Sequence, residues 1–446
     1  MKPIFTISFL LFYITCFSQK IKVTVLDLET KQPIERAHVF FVDKTINTNQ
    51  KGEFSFNLKG KKSINFSVSH IKYETKNITY KKTDKPFIVY LKEKLETLEG
   101  FNISANKKLQ NTIKFKRLED LPRGAYSFAS VLNNNKIYVF GGDITNYHEQ
   151  NKEALSELTF SSETEIMRFL TKPKFSNYTS FIGDLQTYNI TEDRWSIVKD
   201  RVLKRAYSNA ISYKDTVYLM GGKKLSKKKT RELLANDIEL LSLKDLSITK
   251  DQTNPHQAVN FGSVLYEDKI IVFGGSTKKL KNNNILYSDD IHIYDLKTGY
   301  WYLLTKMPKS KEVTGIVFDD KLYFFGGYNR KNLTDIESFD LKTGRWKKEG
   351  SLFTAMKNPA ITKDKEFIYL NENGKITTFQ PKTRELKEFK VDLNLKDAKM
   401  HFFNEKLYLI GGYHYVNEYR KYPSKGVFNI EVVEFFNTKP IRTKIL

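Results

Sequence analysis

An all-β fold, a closed ring of four-stranded repeats preceded by a small β-sandwich, is what this sequence predicts, and three observations predict it. A run of β-branched and aromatic residues ending in a glycine pair recurs five times, at Gly141-Gly142, Gly221-Gly222, Gly274-Gly275, Gly326-Gly327 and Gly411-Gly412. A second phrase, an aromatic strand, a turn and a tryptophan, follows the glycines in three repeats and holds all three tryptophans of the chain. Upstream, residues 20–92 alternate short period-two strands with turns and show no helical spacing.

The glycine pairs at 221, 274 and 326 stand 53 and 52 residues apart, a period that belongs to propellers and solenoids. The 85-residue gap from 326 to 411 is divided by a weaker copy, Lys365-Glu366-Phe367-Ile368-Tyr369-Leu370, in which Asn371 and Glu372 stand in for the glycines. The 80-residue gap from 141 to 221 has no second copy and is read as one unit with an insertion over about 147–181. Six units result. Within a unit the order is an inner strand (125–132 in the first), a second strand closed by Gly-Gly, a third strand, a turn, and an outer strand opened by Trp. Tyr294-Asp295-Leu296-Lys297-Thr298-Gly299-Tyr300-Trp301 and Phe339-Asp340-Leu341-Lys342-Thr343-Gly344-Arg345-Trp346 show the last hairpin, and Tyr188 to Trp195 repeats it. Four antiparallel strands make one propeller blade.

These residues resemble Kelch repeats: Gly-Gly after a hydrophobic strand, Tyr or Phe before the Trp, and a basic residue ahead of the inner strand, as in Leu121-Pro122-Arg123. The resemblance runs over 112–446. It is weakest around Tyr369, where Leu386 stands near the expected Trp, and partial around Gly221 and Gly411, which lack the Trp. It implies a six-bladed Kelch-type β-propeller. Thr112–Leu118 and Ile441–Leu446 both look like outer strands of the last blade, and the N-terminal segment is the one expected there. Gly274-Gly275-Ser276-Thr277-Lys278 lacks the spacing and following helix of a phosphate loop, so the glycines read as backbone geometry at strand ends. The tryptophans read as core packing.

Ahead of the repeats, Met1-Lys2, the apolar Ile4–Phe17 and Ser18-Gln19 predict a signal peptide over 1–18, too short to span a bilayer. The one cysteine, Cys16, falls inside it. The mature chain then holds no thiol, although lipidation of Cys16 is an alternative reading. Strands at Ile21–Val25, Ala37–Val42, Gly52–Phe56, Ile64–Val68 and Phe87–Leu91 predict the sandwich. Gln32-Pro33-Ile34-Glu35-Arg36-Ala37-His38-Val39, Asn49-Gln50-Lys51-Gly52-Glu53-Phe54 and Ile71-Lys72-Tyr73 resemble a carboxypeptidase regulatory-like domain over 20–92. That resemblance implies an exported protein of the Bacteroidetes type, in the periplasm, at the outer-membrane surface or outside the cell. Residues 93–111 read as a linker, and no transmembrane segment follows.

With 74 Lys and Arg against 51 Asp and Glu, the chain carries a formal charge of +23. Lysine spread along the whole sequence reads first as a solvated surface, with an acidic polymer as a possible partner and no specific nucleic acid. The densest run, Lys223 to Arg231, follows a Gly-Gly and so lies on the loop between second and third strands. The insertion after Gly142, Ser276–Tyr287 and Tyr413–Gly426 occupy the same loop of their own blades, and the loops joining blade to blade open on that face. Long loops gathered on one rim of a rigid scaffold are where binding resides. The candidate ligand-binding residues are therefore Arg123, Asp143, Tyr147, His148, Arg205, Lys223, His256, Lys311, Glu312, Tyr328, Arg330, Tyr413 and His414.

No two histidines stand at metal-ligand spacing, and no acidic calcium loop or Gly-x-Ser-x-Gly elbow occurs, so neither metal nor cofactor is expected. The expected function is non-catalytic: an exported cell-envelope binding or scaffold protein whose rim contacts a protein or glycan. The alternative is a sugar-processing enzyme, since some exported six-bladed Kelch proteins resemble sialic-acid epimerases. That likeness implies Arg123, Arg205 and Arg330 for the sugar carboxylate and Glu312 for proton transfer.

Overall fold

The computed structural model describes residues 20–41, 44–58, 62–70, 73–81, 87–93, 109–148, 153, 162–171, 179–282, 284–417 and 419–446. The expected signal peptide, Cys16, Ile71-Lys72, nearly all of the linker and most of the 147–181 insertion lie outside them. The chain divides into two compact units, Met1–Lys107 and Lys108–Leu446. Among the described residues no helix is long and apolar enough to cross a membrane.

In the first unit Glu53–Asn57, Lys20–Asp27 and Phe87–Leu91 form one sheet, and Thr45–Asn47, His38–Phe40, Ser63–His70 and Tyr73–Lys81 form another. Alternation sends Val23 and Val25, Phe54 and Phe56, and Phe66 and Val68 into one core between them. The sequence reading missed Thr45–Asn47 and Tyr73–Lys81. In Tyr73–Lys81 only Tyr80 is buried, so the strand has no apolar alternation to reveal it.

The second unit is a ring of six antiparallel sheets. Blade 1 is built from Ala129–Asn133, Lys136–Asp143, Phe181–Asn189 and Arg194–Val198, in that spatial order from the inside outward. Blades 2, 3 and 4 repeat it from Asn209, Gly262 and Glu312. In blade 6 the outer place belongs to Lys116–Arg117, paired with Val427–Glu431, so the chain's N-terminal segment closes the ring. The C-terminal Arg442–Ile445 instead adds a fifth strand to blade 5, beside Glu385–Lys390.

The apolar core lies between blades. Six buried clusters each draw on two adjacent blades: Ala129, Val131 and Phe140 meet Val217 and Leu219, for example, and Tyr408, Ile410 and Val427 of blade 6 meet Ile137 and Val139 of blade 1. Each tryptophan packs on the aromatic residue across its hairpin, with ring centroids 4.9, 4.9 and 5.1 Å apart in blades 1, 3 and 4. In blade 5 the register places Asn371 opposite Ala360, as Phe140 stands opposite Ala129. Glu372 and Asn373 therefore replace the glycine pair, one position later than the sequence alone indicates. Asn373 has a positive φ of 54° and is followed by Gly374, giving a two-residue turn where blades 1, 2, 3 and 6 carry longer excursions.

Candidate functional site

Each second strand runs from an inner hairpin turn to its Gly-Gly, so the loops after the glycines and the blade-to-blade loops share one face. The residue after each pair reaches that face: Asp143, Lys223, Ser276, Tyr328 and Tyr413. Ser127, Tyr207, Asn260 and Asp397, each two residues ahead of an inner strand, all have φ between 50 and 61°. This left-handed step, costly for residues other than glycine, turns the chain from the face into the channel and is repeated around the ring.

A polar cluster fills the mouth of that channel. Tyr207 donates to Asp143 Oδ2 at 3.2 Å, and Tyr126 is bonded to the same carboxylate. Burial and the Asp143 charge raise both phenols above their ordinary pKa, so they stay protonated donors. Asp397 accepts from Ser127 Oγ and Asn358 Nδ2, each at 3.2 Å. Glu372 accepts from the Lys357 amide at 3.2 Å, and burial, with the Asp397 charge second, pushes it up to about 7. Glu312 is 5% exposed, accepts from Ser276 Oγ and faces the Lys357 ammonium at 3.7 Å.

Lysines stand over the tyrosine rings around these acids. Lys421 Nζ lies 4.1 Å from the Tyr126 ring centre and 4.4 Å from that of Tyr413; Lys223 lies 4.3 Å from Tyr207 and Lys357 4.3 Å from Tyr328. Burial lowers the Lys421 pKa. Below the mouth the inner strands enclose a cavity of about 220 Å³, lined by Ser130, Ser208, Asn209, Ser263, Thr314, Thr362, Lys399 and His401 among others. Ser130 Oγ and His401 Nε2 are 2.6 Å apart, and burial holds His401 down at about 4. Among the described residues no group of His, Cys, Asp and Glu is arranged to hold a metal ion.

The structure brings Asp143, Lys223, Glu312, Tyr328 and Tyr413 together at the mouth. Arg330 is exposed at a hairpin tip, and His414 is exposed on a rim strand. Tyr147 and His148 pair with Lys421 and Arg420, joining the insertion to the blade 6 loop. His148 is bonded to Glu153, which also takes Arg420 at 2.9 Å. Arg123 is partly exposed and ion-paired with Asp184 at 3.1 Å.

Three expected site residues are instead internal clasps. Arg205 is 0% exposed; it donates to Gly221 O at 3.3 Å and to Glu239 at 2.6 Å. Lys311, 1% exposed, donates to Gly326 O at 3.2 Å and to Glu337 at 2.7 Å. His256, 4% exposed, bonds Gly274 O at 2.8 Å and His292 at 3.0 Å. In each, a basic side chain satisfies the first glycine carbonyl of its own blade and a side chain on the third strand, so it never reaches the rim. Conversely, Tyr126, Tyr207, Glu372, Asp397 and the lysines at 357 and 421 escaped the sequence reading. Apart from Lys421, which lies on a rim hairpin of blade 6, their one shared signal is position: just ahead of an inner strand, or in a glycine's place.

The comparisons with known proteins agree with the architecture. A model described as the KLHDC2/KLHL20/DRC7 Kelch-repeats domain matches residues 170–360. The chain is 28% identical over 153 residues to Kelch domain-containing protein 3 of Bos taurus, covering 30% of this chain and 37% of that protein. It is 28% identical over 119 residues to Kelch-like protein 40 of Xenopus tropicalis, covering 26% and 18%. The chain thus spans less than two fifths of the length of these relatives. The solved structure of YjhT superposes with a TM-score of 0.52 at 12% identity, over 70% of this chain and 97% of that one, a likeness of fold. Glycine pairs that end second strands, aromatic-Trp hairpins and a ring of six four-stranded blades give this chain an all-β propeller fold, and its residues 170–360 are similar to Kelch repeats.

Proposed function

We propose that the propeller is a binding module whose loop-rich mouth takes a small, hydroxyl-rich, carboxylated ligand, an acidic sugar. The carrying observation is the set of lysines over tyrosine faces around Asp143 and Asp397. Ammonium groups meet a ligand carboxylate, and carboxylates and the phenol oxygens of Tyr126 and Tyr207, whose own protons go to Asp143, accept from its hydroxyls. The first unit, with its likeness to a carboxypeptidase regulatory-like domain, serves as a spacer in an exported protein of the cell envelope.

Calorimetric titration with uronic acids and their neutral hexose counterparts tests this reading. Acidic sugars are expected to bind, and Lys421→Ala to weaken them by about tenfold or more, the scale of one charge-assisted contact. Equal affinity for the neutral sugars overturns the proposal. A second reading, proton transfer on such a sugar, rests on one observation: Glu372 titrates near neutrality beside the ligand space. Exchange of solvent deuterium into a bound sugar, lost in Glu372→Gln, separates catalysis from binding alone.

A further inference from the structure

Positive charge in blades 2, 3 and 4 is segregated by face. In blades 2, 3 and 4 the inner hairpin turn carries an aspartate that pairs with a lysine of the outer turn: Asp215 with Lys244 at 3.1 Å, Asp268 with Lys297, and Asp320 with Lys342 at 2.5 Å. That end of each blade is locally neutralised. At the opposite end the same three blades raise hairpins with an opposite character. After Gly222, Lys223–Leu225 pairs with Glu232–Leu234 and its tip exposes Lys227, Lys228, Lys229 and Arg231. After Gly275, Ser276–Lys279 pairs with Ile285–Tyr287 and exposes Lys278, Lys279 and Lys281. After Gly327 the turn exposes Arg330 and Lys331. The one carboxylate among the described residues of these hairpins, Glu232, pairs with Lys223, and none of the tip cations has an ion pair among the described residues.

The hairpins of blades 3 and 4 touch, with the Tyr287 and Tyr328 ring centres 6.2 Å apart and the Arg330 amide 3.4 Å from the Tyr287 hydroxyl. A cationic shelf therefore joins blades 3 and 4 and ends at Tyr328 beside the mouth, and the blade 2 hairpin, whose Lys223 also belongs to the mouth, adds the densest run of cations on the same face.

We infer that this shelf is an extended binding surface for an acidic polysaccharide, with the mouth holding one residue of the chain and the hairpins the residues that follow. The inference rests on the acidic-sugar reading of the mouth. The outermost residues, Lys227–Arg231, Lys281 and Asn282, and Arg330, are polar and exposed, while the exposed Leu233 and Leu286 sit back along the strands. Such tips suit a hydrated polymer, because an interfacial device places its apolar residues outermost. Repeated unpaired cations along a path match a repeated charge, and each further sugar adds contacts without a new loss of translational freedom.

The test is titration of the full chain with galacturonic acid and its linear oligomers, beside Lys227→Ala/Lys228→Ala/Lys229→Ala/Lys278→Ala/Lys279→Ala. Affinity is expected to rise by about tenfold or more from monomer to about octamer and to fall steeply between about 50 and about 200 mM salt. The five-fold variant loses the gain and most of the salt dependence while keeping the monomer affinity. A monomer that binds with no gain from length overturns the shelf and leaves the mouth reading standing. Oligomers that bind in a hairpin-dependent way without any monomer binding overturn the mouth reading instead. Tighter binding to phosphatidylglycerol vesicles or to a single-stranded oligodeoxynucleotide than to the oligomers overturns the assignment of the partner.

Discussion

Glu372 occupies the place of a glycine, and its chemistry follows from that exchange. The tight Asn373-Gly374 turn gives blade 5 no long loop of its own, and the carboxyl is held beside Asp397 at the channel mouth. Its folded pKa of about 7 lies above the ordinary 4.5 of a glutamate, so the folded state keeps a proton that the unfolded state releases between those values. Stability is therefore lost as pH rises through that window. Glu372→Gln is expected to raise stability by on the order of 1–3 kcal/mol at about pH 8 and to leave it unchanged at about pH 4, read by urea denaturation. A pH-independent difference would contradict the buried carboxyl. Asp397→Asn removes the second cause and should bring the Glu372 titration down, visible by NMR of the side-chain carboxyl.

Within an element, the clasp explains why a basic residue stands ahead of the inner strand. Removing Arg205 leaves Glu239 buried and charged without its partner, a change that costs about 3–5 kcal/mol. Arg205→Met is expected to lower the unfolding midpoint sharply, and Arg205→Met/Glu239→Leu to recover much of it; loss of binding at unchanged stability would restore Arg205 to the site. His256 makes the same clasp, and burial holds its pKa at about 4 against the ordinary 6.5. The unfolded state takes up that proton first, so this contribution is full above about pH 6.5 and is lost as pH falls toward 4. His256→Asn should flatten that acid limb in thermal melts. The glycines are equally constrained: Gly222 has φ +80°, and a Cβ there would stand 2.4 Å from Ala206 O, so Gly222→Ala strains blade 2 and is expected to destabilise it.

For the whole molecule, closure of the ring rests on a two-residue strand. Lys116–Arg117 pairs with Phe428 and Asn429, Leu118 and Leu121 donate to Val427 and Lys425, and the cluster joining blades 6 and 1 lies behind them. Deleting residues 109–118 is expected to lower the melting temperature and to increase amide exchange first in Val427–Glu431 and its neighbours, measured by hydrogen–deuterium exchange. Uniform loss of protection around the ring would show that closure acts cooperatively rather than at the seam. The C-terminal strand lies on blade 5, so its removal leaves blade 6 complete.

The repeat was legible because it is a backbone requirement: a glycine pair at each strand end and a Trp across from an aromatic residue are demanded by local geometry and packing wherever they fall. Six blades, the outer-strand candidates and the loop-rich face follow from that spacing alone. Side-chain direction was not legible. Arg205, Lys311 and His256 have the sequence positions of rim residues, yet third-strand partners from 26 to 36 residues away draw them inside. Glu372 and Asp397 are ordinary acids in sequence, and they become neighbours because two blades bring them to one mouth, where burial and the Asp397 charge raise the Glu372 pKa. The sequence by itself determined the scaffold and the face on which its long loops gather. The tertiary structure alone decided which side chains meet there, since proximity across blades and exclusion of water are properties of the closed ring.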